Sequence, residues 1–365
     1  MTTNTQKLRV IYYQDGQLRD LTGSFQSVTV SGDTAQAYRT CSVELNNTRD
    51  GRHYAFPIKN GAEIRIQYFG REILRGIIFD TSINTTGTQT LKAHDYNVYL
   101  TKNSDTVRFV GKTATQIIAT LCAKFGIKTG TLANTRHVIP KFIVRGKTVY
   151  EIAVMALTET QKATGKRYRF RNNAGKLELI EVTNLENGRN IIDASFSESI
   201  EDVRTRVKMT GGDENKPVTV EVSSPSASKY GIMQHYEHNS DVKTVAKLKP
   251  LADALLAELS KPKQEFSVTA IGDMDVISAT TVVVNEAMTG IRGAFYVASD
   301  THKFDANGLH TMSLSLSREL ELAQIEYEAP EEPKPKKKKT KKKTAKQKAE
   351  ERKKKEAEKK EAAKK

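Results

Sequence analysis

The chain has 365 residues, 58 Lys and Arg against 43 Asp and Glu for a net charge of +15, two cysteines and no tryptophan. That length predicts two or three domains, and a 38% hydrophobic content supplies sizeable cores, which excludes a chain disordered throughout. Apolar runs fall short of the roughly 18 residues of a membrane span, no apolar signal-peptide core opens the chain, and Cys41 and Cys122 form no CxxC. Membrane-spanning, disulfide-framed, zinc-finger and dithiol classes drop out, and a soluble chain is expected.

Residues 7–103 predict β structure. The segments 7–13, 24–31 and 41–45 alternate apolar and polar residues between Gly, Asn and Asp turns, as half-buried strands do. Segments 62–69 and 73–83 predict a hairpin over Phe69-Gly70-Arg71-Glu72, followed by a strand at 89–94. One polar face along these strands fits an antiparallel sheet or small barrel.

From 111 to 165 the period becomes helical. Ile117, Ile118, Leu121, Cys122 and Phe125 share one stripe, Gly126 is placed to end it, and Thr113 with Gln116 forms a capping box at its start. A second helix begins the same way, with Thr148 and Glu151 as the box and Ile152, Met155, Ala156 and Leu157 on the apolar side. Gly111-Lys112-Thr113 and Gly146-Lys147-Thr148 are near copies and suggest phosphate loops. The upstream glycine of such a loop is replaced by Thr106 and Lys141, however, so helix N-caps explain both threonines better.

Strands then return at 167–171 and 176–182, over the turn Asn172-Asn173-Ala174-Gly175, and at 203–210 and 218–222. A helix is expected over 241–260, kinked or divided by Pro250. The last strands are 265–271, 280–284, 294–301 and 309–316, the final two turning over 305–308. Beyond Ala329-Pro330 the apolar periodicity stops. Residues 334–365 carry 18 Lys and Arg and 5 Glu, leaving residues 1–333 with a net charge of +2. Such a tail buries too little apolar area to offset chain entropy and is expected to be disordered, with transient helix over 345–365. Polyanion attraction is expected of this tail, at Lys336, Lys337, Lys338, Lys339, Lys341, Lys342 and Lys343. A folded nucleic-acid-binding domain would carry its own basic face.

Chemical motifs are sparse. His235 and His238 form an HxxH pair without a third ligand, and His302 and His310 flank a turn whose register decides whether they share a face. Asp273 with Asp275 and Glu198 with Glu201 are carboxylate pairs of a kind common in loops. No GxSxG, paired Cys and His, or GxGxxG followed by an acidic residue occurs. No catalytic, cofactor-binding or metal-binding residue is expected, and elimination leaves a structural assembly part.

Three stretches carry a family likeness: Phe69-Gly70-Arg71-Glu72-Ile73-Leu74-Arg75-Gly76-Ile77-Ile78; the run from Asp95-Tyr96 through the two Gly-Lys-Thr helix starts to Gly175-Lys176-Leu177-Glu178-Leu179; and Gly293-Ala294-Phe295-Tyr296-Val297 to His302, returning at His310-Thr311-Met312. In these and in its order of elements over residues 5–325, the chain resembles the baseplate hubs of contractile phage tails, particularly those of PBSX-like prophages and related contractile bacteriocins. The resemblance implies an α+β fold with two tube-like antiparallel β-barrel domains and an α/β insert: a first barrel at 1–105, the insert at 106–200, a second barrel with the 241–260 helix at 201–328, and a disordered basic tail at 329–365. It implies a non-enzymatic homotrimer, six barrels round a channel, that joins the tail tube to the central spike. Implied partners are the tube or tube-initiator protein, the spike and the tape measure protein, in a particle assembled in the bacterial host cytoplasm. The lysine tail departs from the family pattern; an acidic partner, a membrane or DNA are its candidate targets. The alternative reading is a tail-associated cell-wall-binding or peptidoglycan-hydrolysing module.

Overall fold

The computed structural model describes residues 7–182, 186–188, 191–213 and 216–327, with Ala329 and Lys353 as single positions beyond them. The first block contains β1 (Leu8–Gln14), β2 (Gln17–Asp20), β3 (Phe25–Asp33), β4 (Thr40–Asn46), β5 (Glu63–Tyr68), β6 (Arg71–Ile83) and β7 (Thr88–Asp95). Alternation puts Val28, Val30, Cys41, Val43 and Leu45 in the core and their neighbours outward. The expected hairpin forms between β5 and β6, with Phe69 and Gly70 at φ 48° and 77°. Strand β2 was not anticipated; all four of its residues are exposed, so it carries no apolar alternation.

A 3-10 turn and α1 (Tyr99–Lys102) lead into the insert, made of β8 (Ser104–Thr113), α2 (Ala114–Lys124), β9 (Thr129–Leu132), β10 (Val138–Thr148), α3 (Val149–Thr164), β11 (Tyr168–Asn173) and β12 (Lys176–Glu181). Both capping boxes form as expected: Thr113 with Gln116 and Thr148 with Glu151. The duplicated Gly-Lys-Thr is a strand-to-helix corner. Gly111 and Gly146 adopt φ 60° and 61°, a left-handed conformation that glycine enters without penalty, and the threonine two residues on caps the helix. The helical reading missed β8 and β10, which precede these corners and pair antiparallel with each other. Helices and strands bury one core around Ile117, Leu121, Phe142, Ile152 and Leu177.

The remaining elements are β13 (Glu186–Gly188), β14 (Ile191–Ser199), β15 (Arg206–Gly211), β16 (Val218–Ser223), α4 (Ala227–Tyr230), β17 (Gln234–Asn239), α5 (Val245–Leu259), β18 (Lys263–Ile271), β19 (Thr281–Asn285), β20 (Arg292–Asp305) and β21 (His310–Ser317). Helix α5 runs through Pro250 instead of dividing there; the proline removes one N–H from the ladder. Strands β15–β17 and α5 form a small layer with its own core of Val207, Met209, Val220, Leu248, Ala252 and Leu256.

The first and last blocks share one 13-stranded sheet, with strand order β14-β18-β21-β20-β3-β4-β7-β6-β5-β1-β2 and with β19 and β13 on a branch from β20. The two expected barrels are thus joined edge to edge, and the recorded pairings close neither. Each block nevertheless curls around a core of its own: Leu8, Val30, Leu45, Ile66 and Leu91 in the first, Phe266, Val284, Phe295, Val297 and Leu314 in the second. The fold is therefore mostly β. After β21 the chain crosses the insert, where the Ile325 N–H donates to Thr158 Oγ1 at 3.3 Å and the Ile143 N–H to the Tyr327 hydroxyl at 2.9 Å. Tyr327 also packs on Phe142, with ring centroids 4.7 Å apart.

Phe304 lies on β20 but is fully buried in the first block's core. Phe304→Ala is expected to cost about 3–5 kcal/mol; urea unfolding followed by fluorescence and circular dichroism measures it. A loss below about 1 kcal/mol would mean that this ring does not tie the blocks together.

Candidate functional site

The densest polar cluster lies where β3 meets β20. β20 pairs with β19 along its first half and with β3 from Ser299 to Asp305, while β21 covers its other edge. The loop after β3 places Arg39 against Asp300. Its Nη1 donates to Oδ1 at 3.0 Å, and its Nη2 pairs with Oδ2. The Ser278 N–H donates to the same Oδ1 at 2.6 Å. Burial opposes ionisation of Asp300, yet the Arg39 guanidinium and the His302 ring hold its carboxyl well below the usual carboxylate range. The Arg39 backbone N–H donates to Asp95 Oδ2 at 2.9 Å and the Asn97 N–H to Oδ1 at 2.8 Å, but burial outweighs these donors and pushes Asp95 up to about 7.

His302 and His310 face the same side after all. His302 is buried, with Nδ1 3.0 Å from His310 Nε2 and Nε2 3.0 Å from the Val276 carbonyl. The His310 ring stacks on Phe304 at 4.1 Å, and a side chain at Gly272 would run into it. His310 Nδ1 is buried without a hydrogen-bond partner, which suits an uncharged ring. Burial, with His302 next, pushes His310 down to about 4. The cluster ties strands together, and beside it lies a small cleft of about 40 Å³ lined by Arg39, Asp95, Asn97, Arg169 and Ser278.

The remaining candidates of the sequence do not converge. His235 and His238 lie on β17, where residues three apart point to opposite faces; His235 is 3.7 Å from Glu237, and His238 Nδ1 is 2.9 Å from Thr210 Oγ1. Asp275 pairs with Arg71 across the two blocks, and Glu198 accepts from Gln264. Cys41 and Cys122 are buried and free, their thiols pushed up to about 12 and about 11 by burial. Among the described residues no group of three His, Cys, Asp or Glu could hold a metal, and no helix is long and apolar enough to cross a membrane. Lys336, Lys337, Lys338, Lys339, Lys341, Lys342 and Lys343, and the helix expected over 345–365, lie outside the described residues, Lys353 excepted.

Surfaces suited to assembly are clearer. β2 and β14 end the recorded strand order, so each presents main-chain donors and acceptors on one edge. Phe69 at the β5–β6 turn is 65% exposed and Leu309 before β21 is 60% exposed. They lie at one end of the sheet, since Tyr68 contacts both Phe69 and His310 and the Phe69 N–H bonds to the Lys7 carbonyl. A cleft of about 500 Å³ follows β14 and β18, lined by Ser195, Ser197, Lys263, Glu265 and Glu319. Of these features only the Phe69 hairpin was legible in advance. Arg39 and Asp300 are 261 positions apart, and no local pattern marks them as partners.

The chain matches the YQBQ-like family over residues 28–317. It is 32% identical over 300 residues to the phage-like element PBSX protein XkdQ of Bacillus subtilis, covering 80% of this chain and 91% of that protein. In fold it is similar to the 43 kDa tail protein of prophage MuSo2 from Shewanella oneidensis, with a TM-score of 0.61 at 16% identity over 85% of this chain and 98% of that one. A tail protein from Neisseria meningitidis gives a TM-score of 0.57 at 16% identity, over 85% and 96% of the two chains. At such identities the likeness is one of fold.

Arg39→Met removes one partner of a buried pair and leaves the Asp300 charge uncompensated, with an expected loss of about 3–5 kcal/mol in urea unfolding; wild-type stability would remove the ion pair from the account of how the blocks join. His310 titrates below its unfolded value, so between pH about 6.5 and about 4 the unfolded chain binds the extra proton. Its contribution is intact above that window and declines as the pH falls through it. The stability difference between wild type and His310→Gln should therefore shrink from pH 7 to pH 4.5 by roughly 1–3 kcal/mol; parallel pH profiles would show that His310 does not titrate in this way.

Proposed function

The chain belongs to the YQBQ-like family and is a homologue of the PBSX protein XkdQ, and on that premise we propose that it is a structural, non-enzymatic hub of a phage-type tail baseplate. The observation that carries this reading is the sequence match over 80% of the chain and 91% of XkdQ. In this reading residues 1–105 and 201–328 are the two tube-like modules and 106–200 the insert. Three copies place six modules round a channel, where a six-fold tube above meets a three-fold spike below.

The physical features favour such a role. Two blocks share one sheet whose end strands β2 and β14 each pair on one side with no described strand, and a closed ring of copies would consume such edges. The tube or tube-initiator protein and the spike are the expected neighbours along the axis, and the tape measure protein inside it. The particle would form in the bacterial cytoplasm. The lysine-rich segment adds positive charge suited to an anionic neighbour.

Native mass measurement and negative-stain imaging of the purified chain test this reading, with three copies and three-fold rings around a central hole as the expected result. Trypsin cleavage after about Pro333 should leave that ring intact, since the tail adds no core. Monomeric globules in every condition, or release of soluble fragments from purified peptidoglycan, would overturn it.

A further inference from the structure

The near-zero charge of residues 1–333 conceals a strong segregation. Residues 101–150 hold nine Lys and Arg and one acidic residue, whereas residues 183–333 hold 14 Lys and Arg and 24 Asp and Glu. The basic segment has a defined face. Arg108 and Lys112 stand on the outward register of β8, separated by the exposed Val110, and the exposed Arg145 stands on the neighbouring β10. Lys124 and Lys147 are compensated by Asp105 and Glu151. Arg108, Lys112 and Arg145 are exposed and make no salt bridge to a described residue.

The acidic counterpart is the end strand of the sheet. Asp193, Glu198, Glu201 and Asp202 lie on or just after β14, all exposed and none in a salt bridge with a described residue. Ile192, Phe196 and Ile200 are exposed between them. The outer main-chain edge of β14 pairs with no described strand. Each face therefore combines uncompensated charge with aliphatic or aromatic side chains, which is the composition of a protein interface.

We propose that the outward face of β8 and β10 docks on the β14 edge of a second copy of this chain. Opposite charges then meet, the apolar residues on both sides leave water, and the exposed edge is covered. Two different patches of one subunit make a head-to-tail contact, which repeats around a ring until it closes. A polyanion such as DNA would compensate Arg108, Lys112 and Arg145 but would be repelled by β14 and leave its edge bare. The proposal rests on the reading of the chain as a ring-forming subunit, and it assigns that ring one of its contacts.

The test is self-association of the full chain, measured by sedimentation at about 0.1 M and about 1 M salt, across which the screening length falls from about 10 Å to about 3 Å. Wild type should associate more weakly at high salt. Arg108→Glu with Arg145→Glu, and separately Glu198→Lys with Glu201→Lys, should each weaken association about tenfold or more, with unchanged circular dichroism and melting. All four substitutions together should restore it to within about threefold of wild type, because the charges are exchanged and not removed. Either pair associating like wild type, or the fourfold variant being no better than a pair, overturns the contact while leaving the hub reading in place. A wild-type chain that stays monomeric at both salt concentrations overturns the contact and the hub reading together. Loss of DNA binding by Arg108→Glu with Arg145→Glu at unchanged self-association assigns the face to a polyanion instead.

Discussion

β20 is too long to belong to one block, and most of the architecture follows from that. Its fourteen residues pair with β19 first and β3 afterwards, with β21 along the opposite edge. Two β blocks, separated along the chain by residues 96–185, are thereby held in one hydrogen-bonded sheet. Phe304, near the strand's end, enters the first block's core, while Phe295 and Val297 enter the second. A slip of one residue between β3 and β20 would turn Val28 and Val30 off the core face. It would also part Arg39 from Asp300, which sits buried at that seam.

The polar cluster at the seam contributes specificity more than net stability. Two charges taken out of water regain little beyond their desolvation, but misalignment strands them without partners. Asp300 is served by Arg39 and the Ser278 N–H, and His302 by His310 and the Val276 carbonyl, so the correct register satisfies these two groups and a shifted one does not. Such a seam holds the two β blocks in one fixed register.

The insert joins this body by other means. Its two Gly-Lys-Thr corners turn two antiparallel strands into two packed helices, and a strap carrying Ile325 and Tyr327 crosses it from the end of β21. Residues 101–150, which include the outward face of β8 and β10, carry a basic excess, while residues 183–333 carry an acidic one. Such polarity orients whatever packs on these faces, since only complementary faces approach without repulsion.

The sequence alone determined what depends on nearby residues. The β5–β6 and β11–β12 hairpins, the boxes Thr113 with Gln116 and Thr148 with Glu151, and the apolar stripe from Ile117 to Cys122 each rest on contacts within a few positions, and each is present. The lysine block is equally plain in composition. Tertiary structure decided what depends on distant pairing. β2 and β17 carry little apolar alternation, and β8 and β10 adjoin helix starts that dominate the local pattern, so their pairing comes from partners elsewhere in the chain. The union of the two blocks at β3 and β20, the Arg39–Asp300 pair and the meeting of His302 with His310 all follow from strand register, which no window of neighbouring residues encodes.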